Sequence, residues 1–400
     1  MSAFVSVVIA AVGAVAWALC FAATPVVFLP WIALVPLILV SRGRGALWLG
    51  LVHGTVFWLL SINWIIATLE SYGGLSTTLA IASLLLLSAY LGLYHAVFAW
   101  VVSRLWRRSA ATLVVALPAL WVVLEVVRGF LFSGFPWNLA TYSVIEVPGA
   151  LQLASVVGPY GVSFMVVAVN GAIAVLVTRG WKWRVAGVLA SVAALLAVAV
   201  LLSPASSDSA SGSDVRIIQP NTPILEEWDS ERIVDGYRSL MAMSHDACEP
   251  GVLLVWPESA AWPYMMGRDL QLDEDIERLT ARGCSVIVNS VSRDEGRYFN
   301  SAYLLGPENF RSRYDKGHLV PFGEYVPLGR RLPFLKRLAR AAGDFSPGAT
   351  RRQLSWTKDD LGLAICFEIV FPGEVAARVR DGATILVTIT NDGWYGDTAA

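Results

Sequence analysis

Charge is scarce in this chain of 400 residues: 15% are Asp, Glu, Lys or Arg, against about 25% in ordinary soluble domains. Histidine and cysteine are scarcer still, with four of each, so a disulfide-built scaffold is excluded. No glycine-rich phosphate loop, histidine–cysteine metal motif or internal repeat occurs, and no metal or other cofactor is expected. A large basic excess is missing too, since the formal net charge is −1; that argues against a nucleic-acid binder. What abounds is apolar surface. At 56% hydrophobic residues and a mean hydropathy of +0.59, the chain is neither disordered nor a typical soluble enzyme.

The few charges are unevenly spread. Residues 1–204 carry nine Lys/Arg and three acids, whereas residues 205–400 carry twenty-one and twenty-eight. The halves therefore net +6 and −7. A lipid span needs about 20 apolar residues, and such stretches lie near 3–20, 24–41, 46–69, 75–102, 110–130, 160–178 and 185–203. This predicts a helical membrane bundle over 1–203 with about seven spans, or six by a conservative count. Pro25, Pro30 and Pro36 interrupt the early stretches, which suggests a tight hairpin there. Arg42, Arg44, Arg104, Arg107, Arg108, Arg179, Lys182 and Arg184 all fall in alternate loops, while the intervening loops hold Glu70 and Glu146 and no base. The positive-inside rule then puts the basic loops and the amino terminus in the cytoplasm and the second half of the chain outside. The first stretch has no basic residues before it and reads as a retained span rather than a cleaved leader. Cys20 follows Leu19, a poor context for lipid attachment, and reads as a small core residue.

Polar residues inside apolar helices are functional candidates by default. Here they are His53, Asn63, His95, Glu125 and Arg128. Glu125 and Arg128 are three apart on one helical face, where they either pair with each other or serve a function. His53 and His95 have no ligand partner at metal spacing and read as packing residues. The uncharged aromatic loop Gly134-Phe135-Pro136-Trp137-Asn138 suits the headgroup level of a bilayer.

Residues 204–213 are rich in Ser and Ala and read as a linker. Beyond it the period changes: short apolar runs at 215–218, 252–256, 285–289, 302–305, 361–366 and 384–389 alternate with helical or loop segments at 226–244, 272–282 and 372–380. That pattern predicts an α/β domain with buried strands over 214–400. Its histidines, His245 and His318, are isolated. Of Cys248, Cys284 and Cys366, at least one must stay free, because three is odd.

Three segments carry chemistry. Cys366 ends a buried strand and leads into a turn and helix start, where first-turn N–H groups lower a thiol pKa and bind an oxyanion; it is a nucleophile there or a small buried residue. Glu258 follows the run Val255-Trp256-Pro257 and is either a general base with a raised pKa or an N-cap acid. Lys316 and Glu324 share a turn-rich apolar stretch. The lysine either steadies an oxyanion and a neighbouring thiolate or is a surface charge with Glu324 as its partner.

In this order the three segments resemble the nitrilase, or carbon–nitrogen hydrolase, superfamily, whose members use Glu, Lys and Cys on an αββα sandwich. Glu258 to Lys316 is 58 residues and Lys316 to Cys366 is 50. The membrane half narrows the likeness, and the chain as a whole resembles the apolipoprotein N-acyltransferase family. The resemblance rests on Gln219-Pro220-Asn221 followed by Trp228, Trp256-Pro257-Glu258, Asn300-Ser301-Ala302, Tyr314-Asp315-Lys316, the stretch Pro321 to Pro327, Cys366-Phe367-Glu368 and the stretch Asn391 to Asp397. In the first half it rests on Glu125 with Arg128-Gly129, then Gly134-Phe135-Pro136-Trp137.

The fold so implied is a multi-span α-helical membrane bundle followed by a nitrilase-like α/β sandwich. The resemblance makes Glu258, Lys316 and Cys366 catalytic and has Glu324 and Glu368 support them, while Trp228, Asn300 and Phe367 shape substrate access. It also implies a cofactor-free monomer in a bacterial cytoplasmic membrane, with a phospholipid acyl donor and a diacylglyceryl apolipoprotein acceptor. Three features depart from the family pattern. Phe367 replaces a common Tyr, Gly393 a common Ala, and the sequence ends at Ala400 where the pattern runs on through further strands and a last helix. A truncated chain is therefore expected. A membrane-tethered amidase with the same triad, and a catalytically silent scaffold or transporter working through Glu125, Arg128 and His95, are the alternative readings.

Overall fold

In the computed structural model the apolar runs of the first half are helical, some of them across an internal proline such as Pro118 or Pro159. The structure describes residues 2–22, 26–71, 73–180, 183–202, 212–221, 229–327, 343–348 and 353–395. Two compact units divide the chain, one holding nearly all of the described residues up to 202 and the other those from 212 onward.

The first unit contains α1 (Ala3–Leu19), α2 (Val35–Val40), α3 (Ala46–Ser61), α4 (Ile65–Ser71), α5 (Thr77–Leu105), α6 (Ala110–Arg128), α7 (Ala150–Arg179) and α8 (Trp183–Leu201). Among the described residues, α5, α6 and α7 are each long and apolar enough to cross a bilayer. The pair α3 and α4, bent by 54°, would together make a fourth such span, while Ala3–Leu19, Leu29–Val40 and Val185–Leu201 are apolar but shorter. The proline-rich stretch breaks into a turn of 3₁₀ helix at Leu29–Trp31 and then α2. Asn170, fully buried on α7, repairs the break. Its amide donates to the carbonyl of Pro30 at 2.8 Å, and its Oδ1 accepts from the N–H of Leu34 at 3.0 Å. Without water to satisfy it, a broken backbone in an apolar bundle needs such a side chain.

Small residues draw α3 and α5 together. A Cβ on Gly50 would lie 2.4 Å from the His95 carbonyl, and one on Gly54 would lie 2.7 Å from the Cα of Gly92. This approach brings together the two histidines that read as isolated: His53 Nδ1 is 3.0 Å from His95 Nδ1 and their rings stack at 5.1 Å. Glu125 and Arg128 do not pair, because the chain after α6 folds back and offers each a better partner. Glu125 Oε1 accepts from Trp121 Nε1 at 3.0 Å and from the N–H of Ala140 at 2.7 Å. Arg128 donates to the carbonyls of Phe135 and Trp137 at 3.1 and 2.5 Å, and its guanidinium lies over Trp58. The loop expected to lie at the headgroups is thus pinned to the bundle, with Phe135 and Trp137 packed on its core.

The second unit is built on two sheets. One has five strands in sequence order, β1 (Val215–Ile217), β2 (Leu253–Val255), β3 (Ser285–Asp294), β4 (Arg297–Leu305) and β5 (Arg311–Asp315). Pairing is parallel from β1 to β3 and antiparallel from β3 to β5. The other sheet joins β6 (Leu354–Trp356), β7 (Asp359–Ile365) and β8 (Ile385–Ile389), antiparallel and then parallel. Strand alternation splits the core in two. Leu254, Val286 and Val288 pack under α9 (Ser230–Ala247) and α10 (Leu270–Ala281), while Leu253, Val255 and Ile287 meet Leu361, Leu363 and Ile365 of the second sheet. A further helix, α11 (Pro372–Arg380), packs on β7. The layers are helix, sheet, sheet and helix, the expected αββα sandwich. Sequence reading caught only the apolar ends of β3 and β4. Their polar halves are joined by a tight turn in which Glu295 and Gly296 both have positive φ, at 47° and 78°. A disulfide links Cys248 to Cys284, leaving Cys366 and Cys20 free.

Candidate active site

Three strands end at the site. β2 runs out through Trp256, whose indole is fully buried and donates to the Ser244 hydroxyl at 2.9 Å, and delivers Glu258. β5 delivers Lys316, whose backbone N–H donates to the carbonyl of Asn300 on β4 at 2.8 Å. β7 delivers Cys366, the first residue of a 3₁₀ turn, in the left-handed region at φ 50°. That conformation costs a residue with a side chain about 1 kcal/mol or more and persists only where neighbours hold it.

The charged groups are buried and interlocked. Lys316 is 1% exposed. Its Nζ lies 3.0 Å from each carboxylate oxygen of Glu324 and 3.9 Å from Glu258 Oε1. Asn300 bridges the two acids, its Nδ2 donating at 2.9 Å to Glu258 Oε1 and at 2.9 Å to Glu324 Oε1. Asn289 orients that amide by donating to Asn300 Oδ1 at 2.7 Å, and its own Oδ1 accepts from the N–H of Ser259 at 2.9 Å. Glu324 Oε2 also accepts from the N–H of Val320 at 2.8 Å, which closes the loop on itself. Glu258 Oε2 is buried with no donor on it in hydrogen-bond geometry, and the Cys366 thiol is close enough to act on the same carboxyl.

This arrangement sets the protonation states. Burial raises the pKa of Glu258 above the usual carboxylate value, opposed by the charge of Lys316. Lys316 stays protonated, because Glu258 and Glu324 outweigh the cost of burying it. Burial, followed by the charge of Glu258, pushes the Cys366 thiol up to about 12. Lys316 does lower that thiol, as expected, but burial and the charge of Glu258 outweigh it in the resting site. Two carboxylates already face one lysine, and a thiolate would add a third negative charge in a dry place.

Glu368 is the hub behind the cysteine. It is fully buried. Its Oε1 accepts from Tyr314 Oη at 2.7 Å and from the N–H groups of Gly317 and His318 at 2.9 and 3.2 Å, while Oε2 accepts from the N–H of Ile365 at 2.9 Å. Arg378 of α11 pairs with it at 3.4 Å and donates to the carbonyl of Leu363 at 2.5 Å. Glu368 thus fastens the Lys316 segment to the Cys366 turn. Neither Glu258 nor Lys316 takes its bland role: Glu258 caps no helix, and Lys316 is not on the surface.

Asn300, expected to shape substrate access, spends its amide on the two carboxylates instead. Phe367 is half-buried beside Cys366, and Trp228 lies outside the described residues. Sequence reading missed Asn289 and Arg378, and named Tyr314 only as part of a motif, with no role. The signal available was a polar Asn within a buried strand, and an Arg facing the sheet from an otherwise ordinary helix. Among the described residues no group of three or more His, Cys, Asp or Glu is placed to hold a metal ion.

A dry Glu–Lys–Cys cluster at the strand ends of an αββα sandwich, joined in one chain to an apolar helical unit, defines a membrane-bound enzyme of the carbon–nitrogen hydrolase type. Comparison with known proteins agrees. A family model described as "Apolipoprotein N-acyltransferase N-terminal domain" matches residues 13–172, and one described as "Carbon-nitrogen hydrolase" matches residues 214–400. An apolipoprotein N-acyltransferase of Geobacter metallireducens is 35% identical over 391 residues, covering 93% of this chain and 74% of that protein. Its counterpart in Bradyrhizobium diazoefficiens is 32% identical over 335 residues, 78% of this chain and 62% of that protein. Among solved structures, Nit3 of Saccharomyces cerevisiae aligns at 15% identity with a TM-score of 0.31, over 40% of this chain and 59% of that one, too distant to add to the assignment. The chain belongs to the apolipoprotein N-acyltransferase family, a family of acyltransferases.

Proposed function

We propose that the chain moves a fatty acyl group from a membrane phospholipid, through a thioester on Cys366, to the α-amino group of a diacylglyceryl-cysteine at the amino terminus of an apolipoprotein. Glu258 takes the thiol proton as sulfur attacks the ester carbonyl. Lys316 and a backbone N–H near residue 367 hold the tetrahedral oxyanion. Collapse breaks the ester bond, the proton passes from Glu258 to the departing lysophospholipid oxygen, and the thioester remains. The amine then attacks the thioester, Glu258 takes its proton, and Cys366 leaves and is reprotonated. Ping-pong kinetics follow. Glu324 and Glu368 support the site, and Asn300 holds Glu258 in place rather than touching substrate.

The observation that carries this reading is the buried Glu258 carboxyl, held by Asn300 at 2.9 Å and lying 3.9 Å from Lys316, beside a Cys366 thiol that burial keeps from ionising alone. Such a pair suits a proton transfer coupled to attack. We further place 1–203 in a bacterial cytoplasmic membrane, with 204–213 as linker and the unit over 214–400 on the outer side. The basic loops around Arg42, Arg104 and Arg179 support that orientation.

The test is the intact mass of the detergent-purified chain after incubation with phospholipid. A fatty-acyl increase, removed by hydroxylamine and absent in Cys366→Ala, is expected. Lipopeptide acylation retained in Cys366→Ser or Glu258→Gln would overturn the mechanism, and turnover of a water-soluble amide with no acyl transfer from phospholipid would make the chain a hydrolase.

A further inference from the structure

The Lys316 segment and the Cys366 turn are tied together a second time, by a side chain with no part in the proton transfers above. His318 stands two residues after Lys316. Its ring stacks on Phe371 with centroids 3.7 Å apart and planes 24° apart, and Phe367 meets it nearly edge-on at 5.7 Å. Phe367 and Phe371 close the triangle at 5.0 Å. His318 Nδ1 lies 2.8 Å from Glu374 Oε1, so a carboxylate in the first turn of α11 fixes the rotation of the ring. The backbone N–H of the same residue donates to Glu368.

Geometry gives this triangle a task. Cys366 sits in a left-handed conformation that does not hold itself, and Phe367 is the side chain immediately after it. Glu368 grips that turn from the buried side, through the N–H of Ile365. The aromatic triangle grips it through Phe367, a half-buried ring on the residue next to Cys366. A stacked ring locked by a carboxylate defines a position that a flexible side chain of the same polarity would not.

We infer that His318 is a positioning residue for acyl transfer: aligned by Glu374, its ring holds Phe367 and thereby fixes the turn that presents the Cys366 thiol. This rests on the reading of Cys366 as the nucleophile. The ring is the working part, so an aromatic replacement substitutes for it and a polar one does not.

The test compares His318→Phe, which keeps a ring and loses the contact with Glu374, with His318→Gln, which keeps a hydrogen-bonding group and loses the ring. Each full chain is purified in detergent and incubated with mixed micelles of dioleoyl phosphatidylethanolamine. Cys366 acylation is followed by intact mass without acceptor, and kcat and KM for lysophospholipid release are measured with a diacylglyceryl-cysteine lipopeptide added as acceptor. Cys366 is alkylated with iodoacetamide in parallel, which needs no lipid. His318→Phe should stay within about threefold of wild type in kcat, and His318→Gln should fall about tenfold or more with KM within about twofold. Alkylation rates should rank the same way. Gln matching or exceeding Phe in both assays would overturn the inference. So would a loss in both variants that only tracks a lower thermal unfolding temperature. Were wild type alkylated at Cys366 but never acylated, the proposed function would fail, and the alkylation ranking alone would still decide the role of His318.

Discussion

Replacing Glu324 by Gln should move the acid limb of the reaction to lower pH, and the size of the move follows from one amide. Asn300 Nδ2 donates to Glu258 Oε1 and to Glu324 Oε1, each at 2.9 Å, so the two oxygens are at most about 6 Å apart. Two unit charges at that distance, with an effective dielectric constant of about 20, repel by about 3 kcal/mol, or about two pH units. In wild type that repulsion adds to burial in raising Glu258, and Lys316 divides its charge between the two acids. Gln keeps the shape and one oxygen for Lys316 and Asn300 but removes the charge, and its NH₂ then faces the Val320 N–H and Lys316, so a stability loss of about 1–3 kcal/mol accompanies the shift. Glu258 then loses a like charge and gains a larger share of Lys316, and both changes lower its pKa. The Cys366 thiol, which Glu324 also raises, falls as well. The rate of Cys366 acylation against pH should show the acid limb about two units lower. The plateau should drop about tenfold, because a weaker base gives up driving force in the proton transfer. An acid limb that stays in place or moves upward would refute the account of these charges.

Glu368→Gln should be as damaging as Glu368→Ala, at about 3–5 kcal/mol with Cys366 acylation lost, because the partners of both oxygens are donors and an amide NH₂ would face an N–H or a cation; thermal unfolding of the purified chain measures it. Removing the Cys248–Cys284 link as a double Ser variant should cost up to about 4 kcal/mol, the loop-closure value for a separation of 36 residues, and denaturant midpoints with and without reductant on wild type should agree with it. In the helical unit, Glu125→Gln should be tolerated because one amide oxygen still accepts from Trp121 and Ala140, whereas Glu125→Ala leaves two buried donors unmet and should cost about 1–3 kcal/mol each; equal melting temperatures for the two variants in detergent would contradict this.

How much of this could be read in advance differs by element, for physical reasons. Buried strands such as β2 and β7 show as apolar runs, and α9 overlaps the segment expected over 226–244, though its cap, Asp229, was not recognised. β5 and β6 went unseen. Arg311–Asp315 carries alternating polar side chains at the sheet edge, and Leu354–Trp356 is too short to establish a period. Cys366 was findable because it ends an apolar run at a turn, and Lys316 because it stands with Glu324 in a turn-rich apolar stretch. Asn289 was not, since an Asn among valines reads as a tolerated polar residue until a partner such as Asn300 is known to face it across the β3–β4 pair. The reach of His53 to His95 was hidden for the opposite reason. The glycines that allow it were legible, but nothing in the sequence says which helix they meet.

The protonation of the resting site follows from the same economy of partners. Lys316 faces two carboxylates, and the thiol is the fourth member of a cluster that already carries an excess negative charge. Forming a thiolate first would raise that excess with no water to absorb it. Passing the proton to Glu258 as sulfur attacks leaves the total unchanged: one acid is neutralised while the new negative charge moves onto the substrate oxygen, where Lys316 is the available cation. A raised Glu258 and a raised Cys366 are then two sides of one requirement, that the site hold its proton until an ester or thioester is present to accept the electrons. Burial sets most of the height of both and the charge of Glu324 adds to it, so this supporting residue shifts the pH at which the chemistry begins.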